Sequence, residues 1–529
     1  MLGNLSLAHL GGYFHRRPRV VGVLFITTAL VLYYFFIING AGDAILEAIY
    51  DSDTANPSLI SILRTSDRYR NHPVEAPFKD QFWEVGQRSR NLSQWITTLD
   101  SRWGSKLPEE EKHMLVNAIE ETAISLFPFL QPPDTTQDST APLSDLRSSF
   151  TKGSKGIVIS AGGSDTSVRF AGHLIASLRD VLGCTLPIQV AYAGENDLPK
   201  HRRDALSSLD KSHNTEFLDV WTVFDDSTLQ LRKGGWAIKS FAALASRFEE
   251  VIVLDADAVF LQSPDVLFKQ RAYVNNGAYL FHDRLLWQHA FQDRHNWWKD
   301  QIKEPSPAMN KSLVWTEDYA EECDSGVVVL DKSRPEVLVG LLHIAWQNTY
   351  AVRDEVSYKI TYGDKETWWL GLELAGSKYE FEKHYGSILG WGKEVKKEDK
   401  KEDKKEDKRD DSKDDSKDDS KDDSKDDSKE EEKENNAVCS FVIAHVDEKD
   451  KLLWYNGSLL KNKLADPHGY EVPIYWMMDG KWQKGGKKDM SCMVDERVRW
   501  LSGEEVLVLQ RSIEMAVQVD ELLGLARQN

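Results

Sequence analysis

The apolar and polar positions of the chain fall into regions of different period. Residues 20–38, VVGVLFITTALVLYYFFII, form an apolar run without a charge. At about 1.5 Å per residue this run spans roughly 28 Å as a helix, near the ~30 Å hydrocarbon core of a bilayer. His15-Arg16-Arg17-Pro18-Arg19 precedes it, and Asp43, Glu47, Asp51 and Asp53 follow it. A basic flank stays cytosolic. The pattern therefore predicts a cytoplasmic tail over 1–19, a retained signal-anchor over 20–38 and the bulk of the chain in a lumen or outside the cell. A cleaved signal peptide is the alternative, but its apolar region is usually only ~7–15 residues.

From 39 to 150 the pattern is mixed and polar. It reads as a luminal stem with some helices, Glu109 to Leu126 among them. A regular α/β rhythm begins near Lys155. Gly156-Ile157-Val158-Ile159-Ser160 reads as a strand, followed by Ala161-Gly162-Gly163. Val168, Ala171, Leu174, Ile175, Leu178 and Leu182 then recur at helical spacing. Further strands are expected at 187–192, 217–220 and 251–254, with a helix stripe from Ile238 to Phe248 feeding the last of them. Strands alternating with helices imply a mainly parallel sheet covered on both faces. Residues 151–529 are thus expected to be one α/β domain.

Residues 394–434 interrupt this rhythm with repeats of Lys-Glu-Asp-Lys and then Asp-Asp-Ser-Lys. No apolar residue occurs from Lys396 to Asn436, so the segment has nothing to bury. It reads as an insertion into a surface loop, either disordered or a solvated single helix. The apolar pattern resumes at Val438.

Composition adds little to the fold but narrows function. The chain has 529 residues and a net charge of -19, which argues against nucleic-acid binding. Four cysteines, Cys184, Cys323, Cys439 and Cys492, lie beyond the anchor and allow three pairings. No CxxC pair suggests a zinc site. Sequons stand at Asn91, Asn310 and Asn456.

The chemistry centres on Val251-Ile252-Val253-Leu254-Asp255-Ala256-Asp257. Two carboxylates one residue apart repel each other and are costly to bury unless a cation joins them. At a strand's carboxyl end they lie where open α/β sheets bind ligands. A divalent ion such as Mn2+ or Mg2+ prefers oxygen ligands and can bridge carboxylate to diphosphate. Gly162 and Gly163 either bring backbone close to a nucleotide or make a plain tight turn. Lys239 interrupts an apolar helix stripe and either contacts phosphate or sugar, or snorkels.

Gly234-Gly235-Trp236-Ala237-Ile238-Lys239-Ser240-Phe241-Ala242-Ala243-Leu244, Leu254-Asp255-Ala256-Asp257, Asp324-Ser325-Gly326, Gly363-Asp364-Lys365-Glu366-Thr367-Trp368-Trp369 and Leu453-Trp454-Tyr455-Asn456-Gly457-Ser458-Leu459-Leu460-Lys461-Asn462-Lys463 occur in this order. The set resembles the fungal Golgi α-1,3-mannosyltransferase family and, more distantly, retaining transferases of the GT-A fold. The resemblance implies a GT-A (Rossmann-like) α/β domain in a type II Golgi membrane enzyme. Such an enzyme moves mannose from GDP-mannose to a mannose-containing glycan acceptor, with Mn2+ as the expected ion. It also implies association with a Golgi mannosyltransferase complex. Asp255 and Asp257 match the family's Asp-x-Asp, and His445 fits a C-terminal histidine that completes the metal site. Asp364 and Glu366 become candidates for sugar or acceptor binding; otherwise they are acidic residues favouring a helix start. Asp324 either faces the cleft or begins a strand. Since Asn456 lies in the family-like stretch, Asn91 and Asn310 are the better glycan acceptors. Retention of configuration is expected, by double displacement or by front-face transfer. The competing readings are a UDP-sugar donor on the same fold and a catalytically silent membrane lectin or scaffold.

Overall fold

The computed structural model describes residues 57–131, 140–233, 235–394, 436–486 and 489–525. The apolar run 20–38 and the insertion from 395 onward lie outside these residues. Among the described residues no helix is long and apolar enough to cross a membrane.

The chain divides into two compact units. One takes in the chain up to Arg68 with Thr97–Ala118; the other holds Tyr69–Ile96 and everything from Ile119 onward. Among the described residues the first unit takes in most of α1 (Pro57–Asn71) and the first part of α3 (Glu109–Leu126), while most of α2 (Phe82–Asp100) belongs to the second. Helix α3 has the predicted bounds, and three glutamates occupy its first turn, where the helix dipole favours negative charge.

The second unit reaches further toward the N-terminus than the expected boundary at 151. Arg90 Nε donates to the carbonyl of Leu374 at 2.9 Å, and a Cβ on Gly86 would meet the same residue's carbonyl at 2.8 Å. Glu120 accepts from the backbone amides of Leu143 and Ser144 at the start of α4 (Pro142–Ser148). Part of the expected stem is therefore packed into the larger unit.

That unit is built on a seven-stranded sheet. Its strands include β1 (Thr151–Ser160), β2 (Ile188–Tyr192), β3 (Thr215–Asp219) and β4 (Phe248–Leu254). A short strand, β5 (Ala258–Phe260), leaves for a separate sheet. Strands β6 (Ala278–His282), β7 (Cys323–Asp331) and β8 (Glu380–Phe381) complete the seven, in the order β3-β2-β1-β4-β7-β6-β8. Only β7 runs against the rest, so the sheet is mixed and mainly parallel. Ile157, Ile159, Ile252 and Leu254 share one buried cluster with Val168, Ala171 and Ile175 of α5 (Asp165–Ala176). The alternating positions Val158, Val251 and Val253 are equally buried, as strands covered on both faces require. α6 (Ile238–Ala245) leads into β4, and α7 (Lys365–Ala375) begins at Asp364.

The C-terminal part is antiparallel. Strands β9 (Ile388–Glu394) and β10 (Asn436–Ser440) pair directly, with Glu394 opposite Asn436. The insertion thus leaves and re-enters at adjacent strand ends, and Glu394 belongs to β9. Cys439 forms a disulfide with Cys492; Cys184 and Cys323 are buried free thiols. β11 (Ile443–Val446) and β12 (Leu452–Asn456) join β5 in a three-stranded sheet. α8 (Gly503–Leu522) begins with a capping box at Ser502 and Glu505. Near its end Asp520 accepts from Arg169 and pairs with His173 on α5.

Candidate active site

A cleft of about 440 Å³ opens at the carboxyl ends of β1 and β4. Its floor includes the turn after β1, the turn between β4 and β5, and the segment leading into α6. Gly163 has a left-handed φ of 71°, and a Cβ on Gly162 would stand 2.3 Å from Asp197 Oδ2. The same carboxylate oxygen accepts from the amide of Ala193 at 2.8 Å. The turn is tight, and it lines the cleft. Burial pushes the Asp197 carboxyl above its ordinary range.

Asp255 ends β4. Its amide donates to the carbonyl of Gly326 at 2.9 Å, tying the turn to β7. Lys239 Nζ lies 2.9 Å from Asp255 Oδ1, 2.8 Å from Asp364 Oδ2 and 3.0 Å from Ser325 Oγ. Lys239 does not snorkel; its side chain is 3% exposed. Burial acts to lower its pKa, but the two carboxylates prevail and hold the ammonium well above its usual range. Burial raises Asp255 to about 6, against the pull of Lys239. Asp364 also accepts from Trp368 Nε1 at 2.8 Å. It is thus an anchor for Lys239 beside the cleft.

Asp257 turns outward from the same corner. Its carbonyl accepts from the amides of Gly457 and Ser458 at 3.3 and 2.8 Å. Its carboxylate meets Lys463 Nζ at 2.5 Å, and both side chains keep partial exposure. The Trp-Tyr-Asn-Gly-Ser segment therefore frames the Asp-x-Asp turn, and the lysine beyond it brings a cation to the cleft edge.

Two expected positions lie elsewhere. His445 Nε2 bonds Asp324 Oδ2 at 3.0 Å, and its ring stacks on Trp454 at 4.3 Å between centroids. Both ionisable residues are essentially unexposed. His445 and the hydrogen bond from Asn456 Nδ2 overcome burial and hold Asp324 below the ordinary carboxylate range. Among the described residues no three His, Cys, Asp or Glu side chains form a ready-made metal cluster, and the partner of His445 is Asp324. Glu366 is fully buried and accepts from the amides of Glu322 and Cys323 and from Trp369 Nε1. It braces the start of β7 against α7 and does not line the cleft.

Sequence reasoning did not single out Asp197, Arg232 or Lys463. Arg232 is exposed in the cleft wall. Lys463 carried a weak signal, since it closes the family-like segment. Of the sequons, Asn310 is exposed. Asn91 Nδ2 is engaged by Tyr69 Oη and Asn456 Nδ2 by Asp324.

The donor set suits a divalent cation: two carboxylates on one turn line the cleft, and the glycine turn after β1 lines it too. A strand-end carboxylate pair, buried lysine support and a glycine turn meet at one cleft of an α/β protein, at the sheet end where open α/β folds take ligands. The chain belongs to the Mannosyl_trans3 family of mannosyltransferases, whose model matches residues 154–447. It is 25% identical to the α-1,3-mannosyltransferase MNN1 of Saccharomyces cerevisiae, over 62% of this chain and 43% of that protein. It is 27% identical to the α-1,3-mannosyltransferase MNT3 of the same yeast, over 55% of this chain and 45% of that one. The chain thus spans less than half the length of these two relatives. Among solved structures, the yeast mannosyltransferase Ktr4p aligns with 59% of this chain and 81% of its own, at 11% identity and a TM-score of 0.28. The galactosyltransferase LgtC, solved with donor and acceptor sugar analogues, aligns with 41% and 70%, at 18% identity and a TM-score of 0.27.

Proposed function

We propose that this chain is a retaining mannosyltransferase of the GT-A type. It transfers mannose from GDP-mannose to a mannose-containing acceptor of a glycoprotein, forming an α-1,3 linkage. The observation that carries the reading is the cleft in which Asp255 and Asp257 stand beside Lys239 and Lys463, in a chain of the mannosyltransferase family. The apolar run 20–38 and its basic flank favour a single-pass type II protein of the Golgi membrane, with the cleft in the lumen.

Asp255 and Asp257 are the residues that would hold Mn2+ or Mg2+. Such an ion, when bound, takes up negative charge on the leaving diphosphate. Lys239 fixes the orientation of Asp255 and offsets the repulsion between the two carboxylates. Lys463 offers an ammonium at the same edge, where a phosphate can exchange for Asp257. Gly162 and Gly163 let backbone approach the nucleotide. Asp364 is held by Lys239 and Glu366 is buried under three donors, so neither offers a free nucleophile. This favours front-face transfer: the acceptor oxygen bonds to the anomeric carbon as the carbon–phosphate oxygen bond breaks. The acceptor proton passes to the departing phosphate.

A donor panel tests the reading. Full-length protein in detergent is offered GDP-mannose, UDP-glucose and UDP-galactose with an α-mannoside acceptor, and the product linkage is determined. Transfer from GDP-mannose into an α-1,3 product is expected. Transfer from a UDP-sugar alone replaces the donor assignment, and transfer from none of them leaves a silent sugar-binding protein.

A further inference from the structure

Two large aromatic side chains stand exposed at the mouth of this cleft. Trp236 is 48% exposed and Tyr362 is 64% exposed, although both belong to residue types that usually bury their rings. Their ring centroids lie 5.5 Å apart with the planes tilted by 46°, so together they form a stepped apolar surface. Trp236 itself lines the cleft.

The surface is held in place. Gly363 has a left-handed φ of 65°, and a Cβ there would lie 2.6 Å from Trp236 Cε3. The backbone next to Tyr362 thus forms the seat of the indole. Thr361 Oγ1 donates to the carbonyl of Gly363 at 2.8 Å and closes the turn. Three residues after Trp236 comes Lys239, and two after Tyr362 comes Asp364; these two side chains pair at 2.8 Å. One pair of segments is therefore joined twice, by a buried ion pair beneath and by two exposed rings above.

We infer that Trp236 and Tyr362 form the platform on which the acceptor sugar stacks. This rests on the proposed transfer reaction and names the subsite that positions its second substrate. A pyranose presents a face of C–H groups that suits an aromatic ring, and its hydroxyls stay free for polar partners. The nucleotide side of the cleft has its own features: the glycine turn after β1 and Asp197. The rings instead rise from the segments that carry Lys239 and Asp364. An acceptor resting there is directed toward the sugar being transferred.

The test is steady-state kinetics of the full-length protein in detergent, with GDP-mannose and methyl α-mannoside or an α-linked mannobiose. Trp236→Ala and Tyr362→Ala are each expected to raise the acceptor KM on the order of ten-fold. The donor KM and the slow hydrolysis of donor by water should stay within about two-fold, as loss of acceptor binding alone requires. Trp236→Phe and Tyr362→Phe keep a ring and are expected to restore most of the acceptor affinity, which a purely structural role would not demand. A rise in donor KM with acceptor KM unchanged would show that the rings stack on the nucleotide and would overturn the proposal. Unchanged constants in both alanine variants would also overturn it. Wild-type protein without mannosyl transfer, measured first, would remove the parent reading and the platform together.

Discussion

Lys239 Nζ sits 2.8 Å from an oxygen of Asp364, and both side chains are almost wholly buried. The pair joins the segment before β4 to the start of α7, and Asp255 shares the same ammonium. Removing the lysine strands the Asp364 carboxylate in a poorly hydrated place and leaves Asp255 without its cation at the cleft. Lys239→Met is expected to destabilise the fold by about 3–5 kcal/mol. Urea unfolding checks this, and mannosyl transfer should fall in the same variant because Asp255 loses its support.

Asp257 presents the opposite case. Its ion pair with Lys463 is partly exposed, so it contributes at most about 1 kcal/mol. Asp257→Asn should leave the unfolding midpoint nearly unchanged while transfer from GDP-mannose falls by at least about 100-fold. Lys463→Ala should raise the donor KM on the order of ten-fold, as expected for one ammonium facing a diphosphate. Initial rates at varied donor concentration separate the two effects.

His445 and Asp324 make a buried pair. His445→Gln leaves Asp324 without its strongest partner, and a loss of about 3 kcal/mol is expected. The concentration of Mn2+ giving half-maximal transfer should stay within two-fold. A ten-fold rise in that concentration would return His445 to the metal.

Burial holds the Glu366 carboxyl up to about 8, above the 4.5 of a free glutamate. Between these values the native state keeps a proton that the unfolded state has released. Stability from this group is therefore full at low pH and declines as pH rises through the window. Glu366→Gln cannot titrate. Its melting temperature should fall less from pH 5 to pH 8 than that of wild type, by about 2 °C or more, read by calorimetry.

The insertion leaves β9 at Glu394 and enters β10 at Asn436, which face each other in one antiparallel ladder. Replacing 395–435 by Asn-Gly supplies a two-residue hairpin turn of the favoured kind. Stability should change by less than about 1 kcal/mol and turnover by less than two-fold. Thermal melts and transfer assays of the shortened chain check both numbers.

The local elements were readable from the chain because their signal is local. An apolar residue at every position of Val251–Leu254, or at helical spacing from Val168 onward, reports a few turns of backbone geometry. The carboxylate pair was legible for the same reason: a buried strand ended in two charges that needed a partner. Which partner was not legible. Lys239 looked equally able to contact a ligand or to snorkel. Asp364 and Glu366 looked alike, yet the fold gives one to Lys239 and buries the other under backbone amides. The Cys439–Cys492 bond, which leaves Cys184 and Cys323 as thiols, follows only once β10 and the strand Ser491–Val494 lie side by side. Residue period by itself determined the α/β succession, the strand that delivers Asp255 and Asp257, and the place where the apolar pattern breaks for the insertion. The tertiary structure alone decided the reversal of β7, the pairing of His445 with Asp324 and the meeting of Lys463 with Asp257. Periodicity is set within a few residues, whereas a charge finds its partner through burial and sheet order, which join residues far apart in the chain.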